Sequence, residues 1–209
     1  MPRRNDEVVE NRMEAMTCFA GGMFALGSMG QESQRTSNWF LSLATYLTNT
    51  CHESYIRTAT HLGPEIFHFT HDFEGIGLQK DHMSYRLRGD VVESYFYLWR
   101  LTHDQRYRDY AWDVVQAIDK YCRTDSGFVG LMNTSDVNSR KIDKMETYFM
   151  SKTLKYLYLI FSSDDLIPLN EWVFNTEGHP IPIDSKFKAE CKFEARTTEK
   201  VLNQLKLHN

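Results

Sequence analysis

Residues 85–102, Tyr85-Arg-Leu-Arg-Gly-Asp-Val-Val-Glu-Ser-Tyr-Phe-Tyr-Leu-Trp-Arg-Leu-Thr102, run from a charged loop directly into a strongly apolar segment. Tyr95, Leu98, Trp99 and Leu101 recur at helical spacing and predict a helix over 91–102 that enters a core. Arg88, Asp90 and Glu93 lie within six residues at its mouth. If the helix begins near Gly89, Asp90 and Glu93 occupy its first turn, where the dipole and unpaired backbone N–H groups favour carboxylates. A second reading stands beside this one: the charged loop looks chemical.

Working outward, helices alternate with loops. The turn His103-Asp104 leads to a helix from Gln105 to Arg123 with Tyr107, Tyr110, Val114, Ala117, Ile118 and Tyr121 inward, so that the two helices form an αα-hairpin. Thr124 to Arg140 reads as loop, and Asp143 to Phe161 as the most apolar helix. Upstream, Val9, Met13, Met16, Phe19 and Met23 predict a helix from Asp6 to Phe24. It is interrupted by Gly21-Gly22, which costs about 1 kcal/mol per glycine and calls for a packing reason such as close helix approach. Gly27 to Ser37 reads as a polar connection. Trp39, Leu43, Tyr46 and Leu47 start a further helix through Cys51 to about His61, stopped by Leu62-Gly63-Pro64. Phe67 to Lys80 reads as loop with a short extended piece, and Trp172-Val173-Phe174, bracketed by Pro168 and Pro180, as strand. The fold class is therefore all-α.

The 209 residues suffice for one sizeable core. With 24 Lys and Arg against 28 Asp and Glu, a net charge of -4 and no basic stripe interleaved with aromatics, nucleic acid binding has no support. The eight histidines show no HxxxH or HExxH spacing and there is no CxxC, so zinc is not proposed. Neither a phosphate-binding glycine loop nor an identifiable Ser-His-Asp set is present. No run of eighteen apolar residues occurs, and the polar start MPRRNDEVVEN shows neither anchor nor signal peptide. Asn133-Thr134-Ser135 is an N-glycosylation sequon in a polar loop. Four cysteines do not make a disulfide-dense scaffold, and Cys18 and Cys51 in apolar settings read, taken alone, as buried thiols.

YRLRGDVVESYFYLWRLTHDQRYRDYAW (85–112) resembles the YxLRPExxES...YLWRxTxDxxYRxxxW segment of glycoside hydrolase family 47, the class I α-1,2-mannosidases. MTCFAGGMFALG from Met16, CHESYIRT...LGPE from Cys51, METYFMSKTLKYLYLIFS from Met145 and VFNTEGHPIPI from Val173 agree with it in order, most closely with Golgi-type members. The resemblance implies an (αα)7 barrel whose C-terminal β-hairpin plugs its inside, of which this chain supplies part. Residues 1–183 read as the C-terminal portion of the catalytic domain, and 184–209 as a divergent charged tail. It also implies calcium-dependent, inverting removal of α-1,2-linked mannose from high-mannose N-glycans in the Golgi or endoplasmic reticulum lumen. Membrane attachment would come only through an N-terminal anchor that this sequence does not show. Cys18 and Cys51 match a cysteine pair of the family, which implies a disulfide.

Carried over residue by residue, the resemblance puts Asp90 where the family's general base is a glutamate, with Gly89 in place of proline. Arg88, Glu93, Glu65, Tyr148 and Glu177 fall on sugar-binding or floor positions, with Tyr148 where a phenylalanine stacks on the sugar. Thr176, in Asn175-Thr176-Glu177, falls on the calcium ligand, and the nearby carboxylates would hold the ion's water shell. Ala15 stands where the family has histidine. Lys152 replaces a glutamate and brings a cation among groups that would receive sugar hydroxyls and calcium-bound water. The family's general acid lies in motifs upstream of the region represented here. The resulting alternative is a catalytically inactive remnant or a glycan-binding pseudoenzyme. A part-barrel is further expected to leave inward faces such as Phe149, Tyr156 and Leu159 without partners.

Overall fold

In the computed structural model the described residues are 11–69, 75–76 and 82–183. The tail 184–209 and the first part of the expected Asp6–Phe24 helix lie outside them. Five α-helices carry the architecture: α1 (Phe19–Gly27), α2 (Gln34–Ile56), α3 (Asp90–Thr102), α4 (Arg106–Cys122) and α5 (Lys155–Phe161). α1, α3 and α5 pack side by side as an inner row; α2 lies against α1 and α3, and α4 against α3 and α5, as an outer row. α3 is the middle helix of the inner row and touches both helices of the outer one, and every residue from Asp90 to Leu101 is buried. Its aromatics pack within and between the rows: Phe96 meets Tyr156 of α5 in the inner row, and Tyr95 meets Tyr110 of α4 in the outer one.

Close approach of α1 to its neighbours explains the paired glycines. A Cβ at Gly21 would lie 2.2 Å from the Thr48 hydroxyl, and one at Gly22 would lie 2.7 Å from the Tyr97 ring. Ser94 Oγ fastens the same contact, accepting from Gly22 N–H at 2.7 Å and donating to the Cys18 carbonyl. Cys18 and Cys51 form a disulfide with Cα atoms 5.9 Å apart, joining the start of α1 to α2 across 33 residues. Reducing it is expected to cost about 2–4 kcal/mol, from the loop entropy it removes from the unfolded chain. Denaturant midpoints with and without reductant check this.

Several boundaries differ from the sequence reading. The residues expected to open the first helix instead form strand β1 (Arg12–Glu14) and a 3-10 turn (Ala15–Cys18) before α1. β1 pairs antiparallel with β2 (Ile66–Phe69), Met13 opposite Phe67, and β2 pairs with β3 (Gly75–Ile76). Spacing of apolar residues by three and four did not distinguish this strand and turn from a helix, because Met13 buries itself against a sheet partner. α2 starts at Gln34, inside the expected connection, and ends at Ile56 rather than His61.

The 124–140 loop contains β4 (Arg123–Thr124) paired with β5 (Gly127–Phe128), and β6 (Gly130–Leu131) paired with β7 (Lys141–Ile142). Leu131 also bridges Tyr85, which fixes the charged loop before α3. The apolar helix, expected from Asp143, begins only at 147 after an irregular stretch that follows β7, and its first full turns, Phe149–Leu154, are π-helical. Phe149, Tyr156 and Leu159 are buried within the chain, so the expectation of unpartnered inward faces is corrected: β5 and α3 cover them, with Phe128 against Phe149 and Phe96 against Tyr156. β8 (Trp172–Phe174) and β9 (Pro180–Pro182) form the expected C-terminal hairpin. Phe174 packs on Phe96 and Tyr156, so the hairpin tip is held beside α3 and α5.

Candidate active site

A cleft of about 350 Å³ opens where the start of α3, the π-helical turn, the β8–β9 tip and the outer side of α1 meet. Arg88, Asp90, Glu93, Tyr148, Lys152, Thr176 and Glu177 line it, together with apolar Met16, Phe19 and Met23. Glu65 joins from beneath through Arg88.

The loop before α3 presents these groups under constraint. Leu87 is buried with φ 61°, the left-handed region, and its carbonyl accepts from Thr153 Oγ1 at 2.7 Å. Non-glycine residues held there cost on the order of 1–3 kcal/mol and persist when surrounding contacts over-determine them. The Gly89 carbonyl accepts the first helical bond, from Glu93 N–H at 2.8 Å, and Asp90 and Glu93 fall in the first turn of α3. The helix-mouth reading and the chemical reading thus land on the same residues.

Arg88 Nε donates to Glu65 Oε2 at 2.7 Å, and its guanidinium lies 5.4 Å from the centre of the Tyr148 ring. Burial lowers the Arg88 pKa and the Glu65 partner outweighs it, leaving it raised. Tyr148 Oη donates to the Arg86 carbonyl at 2.7 Å, which sets the ring plane at the cleft wall; burial pushes its hydroxyl up to about 12. Ala15 lies behind this floor, its N–H donating to the Glu65 carbonyl.

Lys152 occupies the centre. Its Nζ lies 2.6 Å from Asp90 Oδ1 and 2.9 Å from Glu93 Oε2, with side-chain exposures of 8%, 8% and 12% for Lys152, Asp90 and Glu93. Burial pulls the ammonium pKa down, but the two carboxylates outweigh it and the net shift is upward. Burial raises the Glu93 pKa against the opposing pull of Lys152. Tyr156 Oη donates to Glu93 Oε1 at 3.2 Å. Tyr156, expected only as an inward core face, is thereby also a site residue; its signal is the four-residue spacing from Lys152, which puts both on one helix face.

Thr176 and Glu177 are exposed at the hairpin tip. Asn175 Oδ1 accepts from Glu177 N–H and His179 N–H, so it closes the turn. Lys155 Nζ binds the Gly178 carbonyl at 2.6 Å and fastens the tip to α5. Among the described residues no group of three or more His, Cys, Asp and Glu side chains is arranged to hold a metal ion. Two of the carboxylates that line the cleft with Thr176 already share one cation, the Lys152 ammonium, which leaves that trio a single net negative charge and places a positive charge where the ion's water shell would sit. Calcium at Thr176, which the family resemblance implies, therefore does not fit these residues as they stand.

No helix among the described residues is long and apolar enough to cross a membrane. The profile of glycosyl hydrolase family 47 matches residues 1–183. The chain is 49% identical over 175 residues to mannosyl-oligosaccharide alpha-1,2-mannosidase IA of Drosophila melanogaster, covering 84% of this chain and 26% of that protein. It is 47% identical over 175 residues to human mannosyl-oligosaccharide 1,2-alpha-mannosidase IB, covering 84% of this chain and 27% of that one. The chain thus spans about a quarter of the length of these curated relatives. The solved alpha-1,2-mannosidase from Trichoderma reesei superposes with a TM-score of 0.74 at 28% identity, over 87% of this chain and 41% of that structure. By this match along most of its length, the chain belongs to glycosyl hydrolase family 47.

Proposed function

We propose that the cleft recognises α-1,2-linked mannose of high-mannose N-glycans, the substrate class of a mannosyl-oligosaccharide 1,2-α-mannosidase, and that this chain by itself leaves the glycosidic bond intact. The Cys18–Cys51 disulfide supports a place in the oxidising lumen of the secretory pathway, the Golgi or endoplasmic reticulum.

The observation that carries this reading is Lys152 bridging Asp90 and Glu93 inside a cleft that otherwise keeps a sugar site's donors and acceptors. Inverting hydrolysis needs one carboxylic acid to protonate the leaving oxygen and a second carboxylate to take a proton from the attacking water. Asp90 stands at the second position. Its Oδ1 accepts from an ammonium at 2.6 Å, which stabilises the charged carboxylate and so weakens it as a base toward a water proton. Aspartate is also one methylene shorter than glutamate, a displacement of about 1 Å, which can cost on the order of 10²-fold. Arg88, Glu177 and the Tyr148 ring remain open to the cleft for hydroxyl bonding and stacking.

A second reading, calcium-dependent inverting hydrolysis, is favoured by the retention of Arg88, Glu65, Glu93 and Thr176 around one cleft. The two readings separate on titrating α-1,2-mannobiose by calorimetry and following free mannose in the same sample. Recognition predicts binding without release, and Tyr148→Ala is expected to weaken binding about 2- to 10-fold. Absence of binding removes the recognition reading, and release of mannose replaces it with the second.

A further inference from the structure

We infer that Lys152 is the built-in cation of this site, holding its carboxylate floor together without a divalent metal ion. The Asp90 and Glu93 carboxylates are taken out of water at the start of α3, and an unpaired buried charge of this kind costs several kcal/mol. Lys152 Nζ reaches both within ion-pair distance. The remaining cation at the cleft, Arg88, is matched to Glu65, so it does not substitute.

The backbone fixes this arrangement. The turn that carries Lys152 is wedged between two positions without side chains. A Cβ at Gly89 would lie 2.7 Å from Thr153 Cα and Oγ1, and one at Gly178 would lie 2.6 Å from the Ser151 carbonyl oxygen. Gly178 also has φ +73°, which disfavours other residues there. The missing side chain at Gly89, just before Asp90, thus gives the π-helical turn room to bring Lys152 against the carboxylates. Lys152, Asp90 and Gly89 act as one unit. An ammonium has three donors; one goes to Asp90 Oδ1 while Glu93 Oε2 stands at ion-pair distance, which leaves donor capacity for a hydroxyl of a ligand in the cleft that Lys152 lines.

As regards the glycan, the inference rests on the proposed recognition; as regards the metal, it stands on the ion pairs alone. The test is thermal melting of the full chain in calcium chloride, in magnesium chloride and in EGTA, for the unmodified protein and for Lys152→Glu and Lys152→Gln. The unmodified chain is expected to melt within about 1 °C in all three buffers. Lys152→Glu is expected to melt lower in EGTA and to regain at least about 5 °C in calcium at a hundred times its dissociation constant, with less from magnesium. A calcium-induced rise of that size in the unmodified chain overturns the inference, as does a folded Lys152→Glu chain that ignores calcium. Should Lys152→Glu fail to fold, Lys152→Gln decides by the same criterion. Titrating α-1,2-mannobiose into the unmodified chain in calcium and in EGTA separates the two proposals. Equal binding in both supports metal independence, binding only in calcium overturns it, and binding in neither removes glycan recognition while the melting result still assigns the cation.

Discussion

Replacing Lys152 with methionine is expected to lower stability by about 3–5 kcal/mol at pH 7, because it leaves Asp90 and Glu93 buried without their cation. The substitution keeps an unbranched chain of similar length, so lost packing contributes little. The deficit carries a pH signature. Burial raises the Glu93 pKa even beside Lys152, and without that ammonium the opposing pull disappears. The folded variant then binds a proton before the unfolded chain does, so its stability rises as pH falls from 7 towards 5 and the gap to the unmodified chain narrows. In the unmodified chain the Lys152 pKa is raised, so its contribution is fully present below the ordinary lysine value and is lost only as pH rises through the shifted one. Asp90→Asn placed on top of Lys152→Met should recover part of the loss. Urea denaturation across pH 5–8 measures all of this, and a deficit under about 1 kcal/mol with no pH dependence would show that the bridge is incidental.

Catalysis is where the second large effect is expected. A positioned general base contributes about 10²- to 10⁴-fold, and with Asp90 Oδ1 occupied that factor is absent from the unmodified chain. Asp90→Glu alone should recover none of it, because lengthening the carboxylate leaves Lys152 in place and the new side chain still meets the ammonium. Residues that act as a unit respond non-additively, so Gly89→Pro, Asp90→Glu and Lys152→Glu, each made alone, are expected to stay at background. Mannose release from an α-1,2-linked oligosaccharide by each variant is the check; turnover in the Asp90→Glu chain would mean that Lys152 does not restrain the base.

The α3–α4 hairpin was legible because both helices carry long helical apolar patterns with the polar His103-Asp104 between them, where His103 indeed takes the αL conformation. Gly21-Gly22 announced a close helix contact and made one. Strand β1 and the small sheets around 124–142 were not legible: they are two or three residues long and exist through partners distant in sequence, such as Leu131 with Tyr85. The π-helical turn was equally hidden, since its register is set by packing against Gly89 and Gly178 rather than by its own propensity. At the site, the residue types were readable and their pairing was not. Lys152 stood out as a cation among expected carboxylates, but that it reaches Asp90 and Glu93 together depends on a helix approach no local pattern encodes. The disulfide came from the resemblance; spacing alone left Cys18 and Cys51 as thiols.

One measurement bears most directly on the claim that the Lys152 bridge turns a mannosidase site into one that holds mannose without cutting it. The unmodified chain is incubated with α-1,2-mannobiose and calcium and followed by proton NMR, which reports bound disaccharide and free mannose in one spectrum. Broadened disaccharide resonances are expected, with no growth of the free mannose signal above a protein-free control. Steady accumulation of mannose, appearing first as the inverted anomer, would contradict the claim and would show that a carboxylate in this chain acts as a base despite Lys152.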